Sequence, residues 1–403
     1  MHILIIHQAF AALNEPGGTR HYELARYLAQ HGQQVTIITS RVSYLTGKAE
    51  AALNPLATDQ GITIQHAYTY TALHKSFVHR VFSFFSFMVS SFLIGLRVKE
   101  IDLVWGTSPP IFQGVTAWLL ARLKRKPFLF EVRDLWPAFA IEVGVLRNPL
   151  LIRLSEWLER FLYRNADQVL VNSPGFIEHV RRGGAAHIAL VPNGADPRMF
   201  DPQADGALFR HTHGLEGKII ALYAGAHGLS NDLGVVLQAA SLLRDRPEIA
   251  VVLLGDGKEK PALQAQVADM NLENVLFIPP LPKASMSLAL AAADACIAIL
   301  KPIPLYATVY PNKVFDYMAA GRPVLLAIDG VIRKVIEEAQ AGLFIQPGNP
   351  QALADAIRWI ADHPGEARTM GLQGRAKIEM EFDRDQLAQK LAEVIEALRA
   401  NAL

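Results

Sequence analysis

Tyr310-Pro-Asn-Lys-Val-Phe-Asp-Tyr-Met-Ala-Ala-Gly-Arg-Pro-Val324 is the stretch that decides how the chain is built. It predicts a loop, a helix over about 312–320, a glycine C-cap and then a strand. The same alternation of short β-branched runs with longer amphipathic stretches recurs throughout. Strands are predicted at 2–6, 34–39, 61–66, 102–106, 127–132, 168–172 and 187–191 in the first half. In the second half they are predicted at 218–224, 250–254, 275–278, 294–299, 323–327 and 342–345. Near-continuous apolar runs separated by helix-length segments require parallel sheets covered on both faces. The chain is therefore α/β, with two doubly wound, Rossmann-like domains in tandem.

The turn-rich segment Pro192-Asn193-Gly194-Ala195-Asp196-Pro197 marks the boundary, giving domains at 1–195 and 196–380. Residues 381–403 hold a last helix over 383–400, with Leu387, Leu391, Ile395 and Leu398 at helical spacing, expected to pack back on the first domain. In open parallel sheets ligands bind beyond the carboxyl ends of the strands, where strand order reverses. Two such edges facing across a cleft suit a donor on one side and an acceptor on the other.

Bulk properties narrow the class. The 403 residues are 51% hydrophobic and 19% charged, a globular balance. The net charge of +1 conceals an asymmetry: 19 Lys and Arg face 13 Asp and Glu up to residue 195, and 20 face 25 beyond it. A basic half beside an acidic half points to an anionic partner for the first, or to an imbalance spread over a large surface. Cys296 is the only cysteine, which excludes a disulfide framework and a cysteine-based zinc site. The N-terminus lacks the features of a signal peptide, and a cytoplasmic location is expected. Basic runs are short and not interleaved with aromatic platforms, so nucleic acid is not an expected partner.

Lys313 falls in the first turn of its predicted helix, where a cation opposes the helix dipole unless an anion is bound there. Asp316 lies on much the same face. A diphosphate over the helix N-terminus with Lys313 on its oxygens, and a carboxylate accepting from ribose hydroxyls, explains both; an ordinary charged pair on a solvated helix is the alternative. Glu15-Pro-Gly-Gly-Thr-Arg20 follows the first strand and opens a helix. Gly17 and Gly18 let the backbone approach a ligand, and Arg20 adds charge to the helix start. The same residues also read as a plain turn.

Pro16-Gly-Gly-Thr19, Val191-Pro-Asn-Gly-Ala-Asp196, Leu253-Leu-Gly-Asp-Gly257 and Lys313-Val-Phe-Asp-Tyr-Met-Ala-Ala-Gly-Arg-Pro-Val324 together resemble the successive landmarks of the GT-B glycosyltransferases of family 4. They occur in the family's order over essentially the whole chain. Phe130-Glu-Val-Arg-Asp-Leu-Trp-Pro137 and Tyr310-Pro-Asn-Lys313 resemble the branch that builds bacterial surface polysaccharides, typified by N-acetyl-fucosamine transferases. The resemblance implies a retaining, metal-independent transfer from a nucleotide-diphospho-sugar, with UDP favoured, to an acceptor such as a lipid-linked saccharide. No cofactor is implied, since the nucleotide-sugar is a substrate.

Carried over by position, the family's ribose-holding glutamate falls on Asp316, and the preceding family glutamate falls on Thr308. Where many members have Arg and Lys after the first strand of domain two, this chain has Ala224-Gly-Ala-His-Gly-Leu-Ser-Asn231. The resemblance then gives Lys313 more of the diphosphate, with Asn312, Gly225, His227, Gly228 and Lys258 as further donor-side residues. The family's first-domain histidine maps onto Arg133 and Asp134. Asp134 reads as the group that takes the acceptor's proton or braces the sugar's positive charge, and equally as part of a structural ion-pair cluster with Glu131 and Arg133. His7, Arg20, Glu131 and Arg133 are the acceptor-side candidates.

Residues 74–99 are rich in Phe and Ser, with Lys75, Arg80, Arg97 and Lys99 at the flanks. The uncharged core, 81–96, is shorter than the ~20 residues of a spanning helix. It reads as an interfacial helix on an anionic membrane, or as a buried helix whose small-residue stripe of Ser83, Ser86 and Ser90 packs on the sheet. The first implies a peripheral protein on the inner face of the cell membrane. A nucleotide-sugar epimerase and a non-catalytic sugar-nucleotide-binding protein are the rival readings.

Overall fold

The computed structural model describes residues 1–42, 61–71 and 77–400. The chain gathers into two compact units. The first takes residues up to Ala11, from Gly18 to Pro192 and from Asp385 onward; the second takes Ala12–Gly17 and Asn193–Arg384.

Unit one is built on β1 (His2–Ile6), β2 (Gln34–Ser40), β3 (Ile62–Ala67), β4 (Leu103–Ser108), β5 (Phe128–Val132), β6 (Gln168–Val171) and β7 (Ile188–Leu190). Their order is β3-β2-β1-β4-β5-β6-β7, all parallel. Unit two carries β8 (Ile219–Ala224), β9 (Ile249–Leu254), β10 (Val275–Ile278), β11 (Ala295–Ile299), β12 (Val324–Ala327) and β13 (Gly342–Phe344). Their order is β10-β9-β8-β11-β12-β13, again all parallel. Every strand predicted from the apolar runs is present, with ends moved by one or two residues.

Strand order reverses between β1 and β4 in one sheet and between β8 and β11 in the other. These are the places where a doubly wound sheet opens a ligand crevice beyond its carboxyl edge. Burial on both faces explains the unbroken apolar strands: all six residues of β9 are buried. One face of the second sheet packs on Val314, Phe315 and Met318 of the helix Asn312–Ala319. The other packs on the helices Leu233–Leu242 and Pro350–Asp362. Leu387, Leu391, Ile395 and Leu398 of the last helix join the core of unit one, beside Ile3, Val35 and Trp105.

The helix Phe77–Arg97 combines features of both sequence readings. Ser83, Phe87, Ser91 and Gly95 form its buried stripe, and Gly95 lies against Leu120 of the helix Phe112–Lys124. Ser86 and Ser90 are half-buried and bond to Tyr70 N–H and to the Tyr68 carbonyl, at 2.9 and 2.6 Å. The opposite face exposes Phe82, Phe85, Val89, Leu93 and Leu96. Its stretch His79–Arg97 is long and apolar enough to cross a membrane by length and composition. Lys75 lies outside the described residues.

Candidate active site

At the carboxyl edge of the second sheet, β8 ends at Ala224 and turns through Gly225, whose φ is +152°. A Cβ there would sit 2.8 Å from Lys313 Nζ, the movable end of a flexible side chain, and it is the positive φ that favours glycine. The helix Asn312–Ala319 starts beside this turn and places Lys313 in its first turn. Lys313 Nζ donates to Tyr223 Oη at 2.8 Å and lies 3.9 Å from that ring's centre. Tyr223 Oη donates in turn to the Ala226 carbonyl at 2.7 Å. Burial pulls the Lys313 ammonium down to about 7, and it forms no ion pair among the described residues. A half-buried amine without a carboxylate beside it among the described residues is suited to meet an incoming anion.

His227 follows two residues later, on a loop closed by its own N–H to the Asp256 carbonyl at 2.8 Å. Gly257 packs so closely on the His227 backbone that a Cβ would come within 2.4 Å of its carbonyl oxygen. The imidazole is buried, and neither ring nitrogen has a hydrogen-bond partner among the described residues. Burial first, then the charge of Lys260, lowers its pKa to about 4, so the ring is neutral at physiological pH. Lys258 is exposed, whereas Lys260 folds back onto the Gly255 carbonyl at 2.8 Å. The lysine that bonds to the Gly-Asp-Gly turn is thus Lys260, while Lys258, which follows the turn directly, points to solvent.

Asp316 Oδ2 meets Lys283 Nζ at 2.5 Å, with both side chains largely buried. Nothing local in the sequence pairs these residues, which lie on different elements. Asn312 accepts from Arg384 Nη2 at 3.2 Å, and Arg384 also holds the Gly194 carbonyl. Asn312 therefore fastens the chain at the turn-rich boundary, as does Asn193, which donates to the Tyr310 carbonyl at 2.7 Å. Gly228 precedes the short turn Leu229–Asn231 and accepts from Asn231 N–H at 3.0 Å. Thr308 donates to the Leu305 carbonyl at 2.7 Å.

In unit one the candidates divide. Glu131, on β5, is fully buried; its Oε1 takes Arg20 Nε at 3.0 Å and its Oε2 meets His21 Nε2 at 2.5 Å. Arg20 donates as well to the carbonyls of Pro192 and Val191, each at 2.7 Å. Burial alone would raise the Glu131 carboxyl, but His21 and Arg20 hold it well below the usual range. Arg20 and Glu131 therefore form a closed internal ion pair rather than an acceptor-binding surface, because a fully buried carboxylate demands a fixed cation. His21 completes that cluster and carries no local sequence signal.

Gly17 and Gly18 are exposed ahead of the helix Arg20–Gln30, and a Cβ on Gly18 would meet nothing within 4 Å. His7, just past β1, is buried, and neither of its ring nitrogens has a partner among the described residues. Burial, Arg133 and His21 keep it neutral. Arg133 donates to the Pro109 carbonyl at 2.7 Å. Asp134 follows it, and burial pushes its carboxyl up to about 7 against the pull of Arg133. A half-buried carboxyl poised near neutrality is suited to accept a proton.

Two family descriptions match the chain in tandem: "Glycosyl transferase 4-like domain" over residues 17–194 and "Glycosyl transferases group 1" over residues 218–363. The chain is a GT-B glycosyltransferase. Among curated relatives of this transferase, WcaI of Escherichia coli K12, whose name ties it to colanic acid biosynthesis, is 24% identical over 83% of this chain and 86% of its own. Among solved structures, the transferase is similar to sucrose-phosphate synthase of Thermosynechococcus elongatus, with a TM-score of 0.78 at 20% identity over 99% of each chain. It is also similar to HepE of Anabaena in complex with UDP-glucose, with a TM-score of 0.74 at 17% identity over 98% of this chain and 100% of that one. At these identities the structural matches speak to the transferase's fold.

Proposed function

We propose that this glycosyltransferase moves a sugar, with retention of configuration and without a metal, from a nucleotide-diphospho-sugar to a saccharide acceptor carried on a lipid. The carrying observation is Lys313, half-buried at the start of its helix, pressed against Gly225 and without an ion pair among the described residues. A donor diphosphate supplies the missing charge, and the adjacent helix N–H groups add to it. Asp316 holds the ribose. UDP is the favoured nucleotide, in keeping with the UDP-glucose complex of HepE.

In the reaction, the bond between the anomeric carbon and the diphosphate oxygen breaks, and the electron pair leaves with the diphosphate. Lys313 and the N–H groups stabilise the charge gathering there. The acceptor oxygen bonds to the anomeric carbon on the vacated face, and its proton passes to Asp134. The name of WcaI, which refers to colanic acid biosynthesis, supports a place in polysaccharide assembly, and the stretches 130–137 and 310–313 are what favour the branch of the N-acetyl-fucosamine transferases. The exposed apolar face of Phe77–Arg97, with Arg80, Arg97 and Lys99 around it, supports peripheral docking on the inner face of the cell membrane.

The test is a thermal-shift panel of UDP, GDP, ADP and CMP, followed by transfer from the matching sugar nucleotide to lipid-linked acceptors. A ligand at 100 times its Kd stabilises by about 2.7 kcal/mol. One selective shift followed by product formation supports the reading. No shift with any nucleotide, or a donor consumed without transfer, overturns it.

A further inference from the structure

The opposite edge of the second sheet holds a cavity of about 420 Å³, next to the amino ends of β8, β11 and β12. Arg210, Arg322, Arg368, Asp205 and Asp294 line it. The acids are already engaged. Asp294 Oδ2 takes Arg210 at 2.9 Å and Ile220 N–H at 2.7 Å, and Asp205 Oδ1 takes Ala207 N–H at 3.0 Å. Arg210 commits its remaining reach to the carbonyls of Lys218 and Ala292.

Two cations are left over. Arg322 donates through Nη2 to the Ala204 carbonyl at 3.1 Å, while its buried Nε has no acceptor among the described residues. Arg368 is exposed and forms no ion pair among the described residues. A buried guanidinium N–H without an acceptor is costly, and facing like charges makes it more so. Burial, with Arg210 and Arg368 as repelling neighbours, draws Arg322 below its usual range.

We propose that this cavity is a second anion site, taking inorganic phosphate or the phosphate group of a small metabolite between Arg322 and Arg368. Guanidinium forks match phosphate oxygens bidentately. The site is separate from that of Lys313. The helix Asn312–Ala319 lies between them, with Lys313 in its first turn and Arg322 just beyond its last. Eight residues of helix span about 12 Å.

The test is a thermal-shift titration of the full chain with inorganic phosphate, and separately with a sugar phosphate, against sodium chloride at matched ionic strength. Lys313→Ala should keep the phosphate response. Arg368→Gln, at an exposed position, should raise the apparent Kd at least tenfold. Arg322→Gln should do the same, and where it fails to fold, Arg368→Gln carries the test. A response to the sugar phosphate alone makes the metabolite the ligand, and a response to both makes the phosphate group sufficient. Absence of any response, its loss in Lys313→Ala, or its persistence in Arg368→Gln overturns the proposal.

Discussion

Glu131 in unit one is fully buried and Lys313 in unit two is half-buried, and their surroundings differ more than their exposure does. Glu131 has a cation or an imidazole on each oxygen, and the cluster is closed: Arg20 continues to two backbone carbonyls. Lys313 has a phenol and an aromatic face, with no carboxylate paired to it among the described residues. The first arrangement ties the helix Arg20–Gln30 to β5 and to the chain leaving β7. The second has no ion pair among the described residues, which suits it to a partner from outside. Exposure alone does not separate a structural ion from a binding one; what separates them is whether the protein already satisfies the group.

Opposite mutational signatures follow. Glu131→Ala strands Arg20 and His21 in the interior and should cost about 3–5 kcal/mol of stability, measured by denaturant unfolding. Transfer by the surviving folded fraction should change far less. Lys313→Ala should reduce kcat by about 10²–10³, as for loss of one charge-stabilising donor, in a steady-state assay. Lys313→Met should do the same while raising stability by about 0.5–2 kcal/mol at neutral pH, since a partly desolvated amine with no ion pair among the described residues is gone. If Glu131→Ala kept its stability, or if Lys313→Met lost it, the contrast between the two groups would collapse.

The pH dependence sharpens the contrast. Asp134 must be ionised to accept a proton, so kcat should rise with pH through about 7, and Asp134→Asn should remove that limb along with most of the rate. The smallest effect is expected at Lys258, which is exposed: Lys258→Ala should change stability by less than about 0.5 kcal/mol and leave donor affinity unaltered in titration.

The sheets were legible because apolar runs such as Ile249–Leu254 must be buried on both faces, and the spacing between runs leaves room only for helices. The helix Asn312–Ala319 was legible because Gly321 ends it in a left-handed turn, φ +66°. The side-chain pairings were not. His21 meets Glu131 across 110 positions and Lys283 meets Asp316 from another element, contacts that only the folded topology creates. The Arg20 contact is hidden for the same reason: its place at a helix start suggests an external anion, whereas in the fold Glu131 takes the guanidinium. Lys258 and Lys260 differ only in which way the turn after Gly257 faces them.

Calorimetric titration of UDP in buffers of different ionisation enthalpy tests the central claim most directly. Burial draws the Lys313 ammonium down to about 7. A diphosphate beside it favours the charged form, so binding above that pH should take up a proton, and affinity should fall as pH rises further. The expected result is proton uptake at pH 8 in the wild type, absent in a more weakly binding Lys313→Met. Tight UDP binding with no proton uptake, unchanged in Lys313→Met, would contradict the assignment of Lys313 to the diphosphate.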